Sequence, residues 1–221
     1  KIEKEIKKPN GIILVTGPTG SGKTTTLYAF LKYLNKPGVK IITLEDPIEY
    51  HLQGIDQSQI EPEKGYTFAN GLRSVLRQDP NVILVGEIRD EETADVALHA
   101  ALTGQLVFST LHTNDGIGAV PRFLDMNAKP QILASALNAA IGQRLVRKLC
   151  SGCKKVSQSA DLEWIKKDLY DSPQIESIFP FPADAKIYEP VGCAKCGNTG
   201  YKGRIGVYEV LFVDETMEKL I

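Results

Sequence analysis

Residues 12–24, with the sequence IILVTGPTGSGKT, decide the fold class of this 221-residue chain. A short apolar strand is predicted at 12–16, a glycine-rich turn follows it, and a helical pattern begins at Thr24. In that context the turn predicts a phosphate-binding loop, because glycines let backbone N–H groups face a β-phosphate and the helix N-terminus adds its positive dipole. Lys23 is predicted to reach the β- and γ-phosphates, and the Thr24 hydroxyl to ligate Mg2+. The predicted nucleotide contacts are Gly17, Pro18, Thr19, Gly20, Ser21, Gly22, Lys23, Thr24 and Thr25.

Outward from this loop, short apolar runs alternate with helical patterns as far as residue 148. This alternation is typical of βαβ units, and continuous apolar strands fit a mainly parallel sheet that is covered on both faces. The further strands predicted are 40–44, 82–86 and 106–110. The helices predicted are 24–34, 68–77, 91–102 (with Asp90 as its cap) and 131–148.

The composition is that of a globular chain, with 43% hydrophobic residues and 26 basic residues against 27 acidic ones. This hydrophobic content excludes global disorder, and the net charge of -1 argues against a nucleic-acid binder held by bulk positive charge. The longest uncharged stretch, 96–114, contains two histidines and several other polar residues, so it does not predict a membrane span. The charged residues 1–8 do not resemble a secretory signal. We expect a soluble protein.

The four cysteines form two C-x-x-C pairs. In a chain without an export signal, two such pairs predict a tetrahedral zinc site with four thiolate ligands, because the two-residue gap lets both thiolates of a pair point at one ion. The alternative is four reduced, unconnected cysteines. The long stretch between the pairs predicts a zinc-stapled subdomain with structure of its own. The predicted zinc ligands are Cys150, Cys153, Cys193 and Cys196.

Carboxylates are expected where the neighbouring strands end, at the edge where ligands bind in open α/β sheets. The segments that qualify are LEDPIE at 44–49 and GEIRD at 86–90. The second resembles a Walker B strand with glycine where aspartate is usual, which makes Glu87 the candidate acid at Mg2+, bound directly or through water. Glu49 is then the candidate base for the attacking water. The alternative is that these two residues and Glu45 are surface carboxylates.

One histidine and three arginines flank the same edge. His112 follows the fourth predicted strand, where a histidine can sense the nucleotide or link subunits. Arg73, Arg77 and Arg89 are candidates to stabilise charge in a transition state, in cis or from a neighbouring subunit. Each arginine can equally pair with a carboxylate to hold the core together. The sequence leaves both roles open.

Taken together, these segments resemble the secretion ATPase superfamily that powers type II secretion and type IV pilus assembly. The resemblance runs from Gly11 to about Val213, and its motifs look like a Walker A loop, an Asp box, a Walker B segment, a His box and a tetracysteine element. The motifs are GPTGSGKTTTLY at 17–28, TLEDPIEY at 43–50, LRQDPNVILVGEIRDEETADVAL at 76–98, TGQLVFSTLHTND at 103–115, IGQRLVRKLCSGCK at 141–154 and GCAKCGNTGYKGRIGVYEVL at 192–211.

The resemblance implies an α/β fold with a RecA-like P-loop core and a small tetracysteine zinc-binding subdomain. ATP, Mg2+ and Zn2+ are the cofactors it implies. Lys23 and Thr24 become the contacts to the triphosphate and Mg2+. Glu49 becomes the general base, Glu87 the Walker B glutamate and His112 the His-box histidine, and the last three are the catalytic residues expected.

The family's tetracysteine element implies a motor that works in the assembly direction. We expect type IV pilus assembly, with the type II secretion ATPase as the alternative. The family further implies a homo-hexamer at the cytoplasmic face of the inner membrane, with peripheral membrane association only. It would act on a membrane-embedded platform protein, with no nucleic-acid partner. A second His-box histidine is usual where this chain has Gln105, which cannot become cationic.

The organisation expected is a P-loop core at 1–148 and a zinc-binding subdomain at 149–221. Within the latter, a polar helix is predicted at 162–170 and a strand at 205–212. Both ends look like cut points of a longer protein, and the family's N-terminal domains are expected to be absent. We therefore expect this chain to bind nucleotide but to hydrolyse it poorly by itself.

Two alternatives of other classes remain open. A P-loop core with four cysteines is compatible with a nucleic-acid-dependent ATPase, although few aromatic residues flank the cysteines as stacking platforms. A structural zinc protein with a degenerate loop is the other alternative, although Lys23, Thr24 and the candidate carboxylates are all present.

Overall fold

A computed structural model of the chain describes residues 1–157, 164, 167, 182 and 184–221. The helix predicted at 162–170 lies outside these residues, apart from two single positions. The chain divides into two compact units, one formed by Lys1–Leu145 with Gly206–Ile221 and the other by Val146–Ile205. The predicted division, 1–148 and 149–221, differs in two respects: the boundary lies three residues earlier, and the last segment of the chain groups with the first unit rather than with the cysteines. The composition of the sequence does not show that the last segment packs with the first unit.

A seven-stranded sheet organises the fold, in the order β3-β2-β4-β5-β1-β6-β9. The pairs β1/β5, β1/β6, β2/β3, β2/β4 and β4/β5 are all parallel, as the alternating pattern predicts. The four predicted core strands are confirmed within one residue at each end, and all their residues are buried. The strands are β1 Gly11–Thr16, β2 Ile41–Glu45, β3 Asp56–Gln59, β4 Val82–Val85, β5 Leu106–Leu111, β6 Leu137–Leu149, β7 Lys155–Val156, β8 Tyr188–Glu189 and β9 Tyr201–Phe212, of which β7 and β8 form a separate antiparallel pair.

Helices and the sheet share two apolar clusters. Alternate residues of β1 divide between them: Ile12 and Leu14 belong to one cluster, Ile13 and Val15 to the other. Because side chains alternate across a strand, the two clusters lie on opposite faces of the sheet. The helices are α1 Ile2–Glu5, α2 Lys23–Leu34, α3 Phe68–Leu76, α4 Glu91–Leu102, α5 Ala119–Asp125, α6 Pro130–Ala136 and α7 Glu215–Glu218, with 3-10 turns at Pro62–Lys64 and Ala194–Cys196.

The helix predicted at 131–148 is wrong. Helix α6 ends at Ala136, and β6 follows from Leu137 as a strand parallel to β1. The segment is rich in Leu, Ala, Arg and Lys, which favour a helix locally. The edge of β1 facing away from β5 needs hydrogen-bond partners in the buried interior, and this requirement overrides a local preference of a fraction of a kcal/mol per residue. Strand β3 was not predicted, because its sequence DQSQ has no apolar residue.

Candidate functional site

The glycine-rich turn lies between β1 and α2, as predicted. Gly17 has φ +136°, and a Cβ there would stand 2.3 Å from the carbonyl oxygen of Gln143, so only glycine fits. Pro18, Thr19 and Gly20 are exposed at the tip of the turn. The Lys23 ammonium donates to the carbonyl oxygens of Gly17 (2.8 Å) and Pro18 (3.2 Å). The lysine side chain therefore reaches back to the start of its own loop.

The N-terminus of α2 is open to an anion. In α3 and α4, the side chains of Thr67 and Asp90 accept hydrogen bonds from the first-turn N–H groups of Asn70 and Thr93. Helix α2 begins at Lys23, and the residue before it is Gly22, which has φ +88° and has no side chain that could cap the helix. Unpaired first-turn N–H groups and the helix dipole together favour a negative charge at this position.

Two polar groups of the loop fit a phosphate ligand. The Ser21 hydroxyl oxygen is buried and has no hydrogen-bond partner among the described residues. Burial lowers the pKa of Lys23, while the nearby charge of Glu87 acts to raise it. A bound phosphate would relieve both conditions, since it accepts hydrogen bonds and compensates a partly desolvated ammonium.

Glu87 follows the end of β4, on the same side of the sheet's edge as the loop. Glu87 is 8% exposed, and its carboxylate lies 2.6 Å from Arg89 Nε and 3.2 Å from His112 Nε2. The backbone that carries it is fixed to β5, because Ile88 N donates to Thr110 O and the Thr110 hydroxyl donates to Gly86 O. The structure thus brings together the Walker A lysine, Glu87 and His112, which the sequence placed at one edge.

Gly86 stands where aspartate is usual, and its backbone lies close to that of β2. Its N–H donates to Leu44 O at 2.8 Å, and a Cβ would stand 3.1 Å from that oxygen. A side chain at this position would require that oxygen to move by a few tenths of an ångström. Glu87 is therefore the carboxylate that this strand offers to a metal at the site.

Glu45 and Glu49 have different environments. Glu45 is 3% exposed and accepts hydrogen bonds from Tyr28 Oη, Thr43 Oγ1 and Gln57 Nε2. Burial, followed by the hydrogen bond to Glu45, raises the pKa of Tyr28. The surface alternative is therefore wrong for Glu45, which ties α2, β2 and β3 together. Glu49 is exposed in the segment after β2.

The three candidate arginines have different partners. Arg73 pairs with Glu92 at 2.6 Å, with both side chains largely exposed, and Arg77 donates to the Ser74 hydroxyl. Arg89 alone of the three contacts Glu87 among the described residues, and two thirds of its side chain is exposed.

Gln105 is remote from this edge of the sheet. It precedes β5, whereas His112 follows it, and the six residues of the strand span about 20 Å. Its backbone oxygen accepts from Gly11 N at the start of β1. Within this chain, the two His-box positions therefore lie at opposite ends of one strand.

The four cysteines converge in the second unit, as predicted. Their sulfur atoms all lie within 4.8 Å of one another, with Sγ–Sγ distances of 4.0 Å for Cys150–Cys193 and 3.8 Å for Cys153–Cys196. Four thiolates about 2.3 Å from one Zn2+ in a tetrahedron are about 3.8 Å apart, so the cluster fits zinc. A disulfide needs about 2.05 Å, and all four cysteines are free.

The thiols of Cys153 and Cys196 have pKa values that are shifted in opposite directions. Burial raises the pKa of the Cys153 thiol to about 11. At Cys196 burial acts in the same direction, but N–H donors from Cys193 and Gly200, each 3.3 Å from the sulfur, prevail and lower the pKa to about 6. N–H donors directed at sulfur are the second-coordination contacts that hold a thiolate ligand in place.

Two tyrosines of this unit, Tyr188 and Tyr201, lie against cationic side chains. The Arg147 guanidinium lies 3.9 Å from the ring centre of Tyr201, and the Lys154 ammonium lies 4.1 Å from that of Tyr188. These cation–π contacts stabilise the unit and occupy a face of each ring. They weaken the alternative in which these tyrosines stack on nucleic-acid bases.

Sequence reasoning missed one residue beside the loop. Gln143 is 3% exposed on β6 and contacts both Ser21 and Thr26. The available signal was a lone amide after the small and apolar residues 139–142, in a segment that the sequence predicts as a helix.

No helix in the described part of the chain has the length and apolar character required to cross a bilayer.

Comparisons with known proteins identify the family of the chain. The family model described as type II/IV secretion system protein matches residues 1–221. The type II secretion system ATPase E of Vibrio cholerae is 51% identical over 98% of this chain, and the type IV pilus assembly ATPase PilB of Thermus thermophilus is 45% identical over 100% of it. The chain spans 41% and 24% of the lengths of these relatives.

A solved structure shares the fold. The pilus retraction motor PilT with bound ADP superposes with a TM-score of 0.68 at 31% identity, covering 99% of this chain and 52% of that one. The parallel sheet, the phosphate loop and the family match lead to one conclusion: the chain belongs to the type II/IV secretion system protein family and has the P-loop fold of its ATPases.

Proposed function

We propose that this chain is the ATP-binding and ATP-hydrolysing core of a type II secretion ATPase. The proposal rests on one observation: the Lys23 loop, Glu87 and His112 lie at the same edge of the sheet. Relatives named for type II secretion have up to 51% identity, against 45% for the pilus assembly ATPase. They favour the secretion alternative over the pilus role expected from the sequence.

The proposed roles follow from position. Lys23 and the open N-terminus of α2 bind the phosphates, Thr24 in the first turn of α2 and Glu87 hold Mg2+, and the metal when bound neutralises phosphate charge. His112 contacts Glu87 at 3.2 Å and is placed to report whether that carboxylate is engaged. The exposed Glu49 orients the attacking water.

The four cysteines are proposed to bind one structural Zn2+, since all four positions of a tetrahedron are filled by thiols. For the whole protein we propose a homo-hexamer at the cytoplasmic face of the inner membrane, acting on a membrane-embedded platform protein. These assignments rest on the family resemblance.

Replacing the two carboxylates separately tests the assigned roles. In the full-length parent protein we expect Glu87→Gln and Glu49→Gln each to lower ATP turnover roughly 100-fold, because each removes a group that acts during hydrolysis. Nucleotide affinity should change by less than about threefold. The exposed Glu63→Gln serves as the matched control. Unchanged turnover in Glu49→Gln would assign the base elsewhere.

Pilus assembly is the second candidate, supported by the pilus assembly relative at 45% identity. Genetic complementation separates the two. The full-length parent should restore protein secretion in a strain that lacks its type II secretion ATPase. Restoration of pili alone would favour the pilus role.

A further inference from the structure

A buried amide on β6 joins the phosphate loop to α2. Gln143 Nε2 donates to the carbonyl oxygen of Ser21 at 2.8 Å, and its Oε1 accepts from the Thr26 hydroxyl at 2.8 Å. Ser21 lies before α2 and Thr26 follows its first turn, where Thr26 N donates to Gly22 O. One side chain therefore spans the junction between loop and helix.

Only an amide satisfies both partners. A backbone carbonyl oxygen can only accept, so the –NH2 group must face Ser21, and this orientation directs the amide oxygen at the Thr26 hydroxyl. A glutamate would lose the donor, and a leucine would lose both hydrogen bonds. Either change leaves a polar group of the loop unpaired in a buried place.

The glycines of the loop make room for this residue. A Cβ on Gly22 would lie 2.9 Å from Gln143 Nε2, and a Cβ on Gly17 would lie 2.3 Å from the Gln143 carbonyl oxygen. Both glycines have positive φ. The loop therefore packs closely on both the side chain and the backbone of Gln143.

We propose that Gln143 is a positioning residue that holds the phosphate loop in its binding conformation. It acts through Ser21 and Thr26 and does not itself touch the nucleotide. The proposal rests on nucleotide binding by the loop. Without this anchor, a bound phosphate must order the loop itself, and that cost appears as lost affinity.

Nucleotide affinity measured with a fluorescent ATP analogue and Mg2+ tests the proposal on this 221-residue chain. We expect Gln143→Leu to weaken binding roughly tenfold, as loss of one to two buried hydrogen bonds implies. Thr26→Val removes one of the two bonds and should weaken binding less, roughly threefold. Thr26→Ser keeps the hydroxyl and should restore the parent affinity.

Asn138→Leu is the matched control. Asn138 lies near the start of β6, five residues before Gln143. Its amide donates to Asn10 O at 2.9 Å and lies beside Gly11, another glycine with positive φ. It should lower the melting temperature without changing nucleotide affinity. If Gln143→Leu does not fold, the Thr26→Val and Thr26→Ser pair decides. Parent-like affinity in Gln143→Leu and Thr26→Val would overturn the proposal, whereas failure of the parent chain to bind would instead overturn the proposed function.

Discussion

Mg-ATP binding is expected to fall by about 100-fold or more when Lys23 is replaced by alanine, a loss of roughly 3 kcal/mol. Lys23 is the ammonium that lies at the loop, and its pKa is lowered by burial despite the opposing charge of Glu87. A partly desolvated ammonium gains more from a phosphate than an exposed one does. Isothermal titration of the chain with Mg-ATP measures the loss.

Lys32→Ala supplies the control for this change. Lys32 belongs to the last turn of the same helix and lies over the exposed Tyr50 ring at 5.3 Å. It carries the same charge far from the loop, so its removal should leave affinity within about twofold. Equal losses in both variants would mean that general charge, and not the loop, attracts the nucleotide.

Removal of zinc is expected to unfold the second unit. Structural zinc sites contribute on the order of 10 kcal/mol to folding. The four thiols join two segments of this unit that are far apart in the sequence, at 150–153 and 193–196. We expect about one zinc per purified chain. After chelation, amide hydrogen exchange should accelerate strongly at 146–157 and 184–205, while the phosphate loop keeps its protection.

Cys193→Ser should reproduce the effect of chelation, because it removes one ligand of four. Ser151→Ala, an exposed change between the first two cysteines, is the control and should leave zinc content unchanged. A chain that contains no zinc yet shows slow exchange in this unit would assign the four cysteines a different role.

The sequence was most informative where local chemistry and global fold coincide. At residues 17–24 a strand, glycines and a lysine occur at fixed spacing, and their function requires that geometry, so the loop was predictable. The same holds for helix α4, whose Asp90 cap and bounds were predicted correctly. The C-x-x-C pairs are similar, since their spacing is itself a metal-binding geometry.

Prediction failed where a distant partner decides the structure. The sequence 137–149 has helical propensity, but the vacant edge of β1 makes it a strand. Gln143 could not be recognised beside the loop without that pairing. Glu45 similarly follows an apolar strand and looks exposed, yet Tyr28 and Gln57, from other elements, satisfy its carboxylate in the interior.

We propose above all that residues 17–24 bind Mg-ATP, with Glu87 beside them. Hydrogen-exchange mass spectrometry of the chain with and without Mg-ATP tests it most directly. We predict slower exchange at 17–26 and at 86–89, and no such change in Lys23→Ala. Protection confined to other segments, or protection of the loop that persists in Lys23→Ala, would contradict the account.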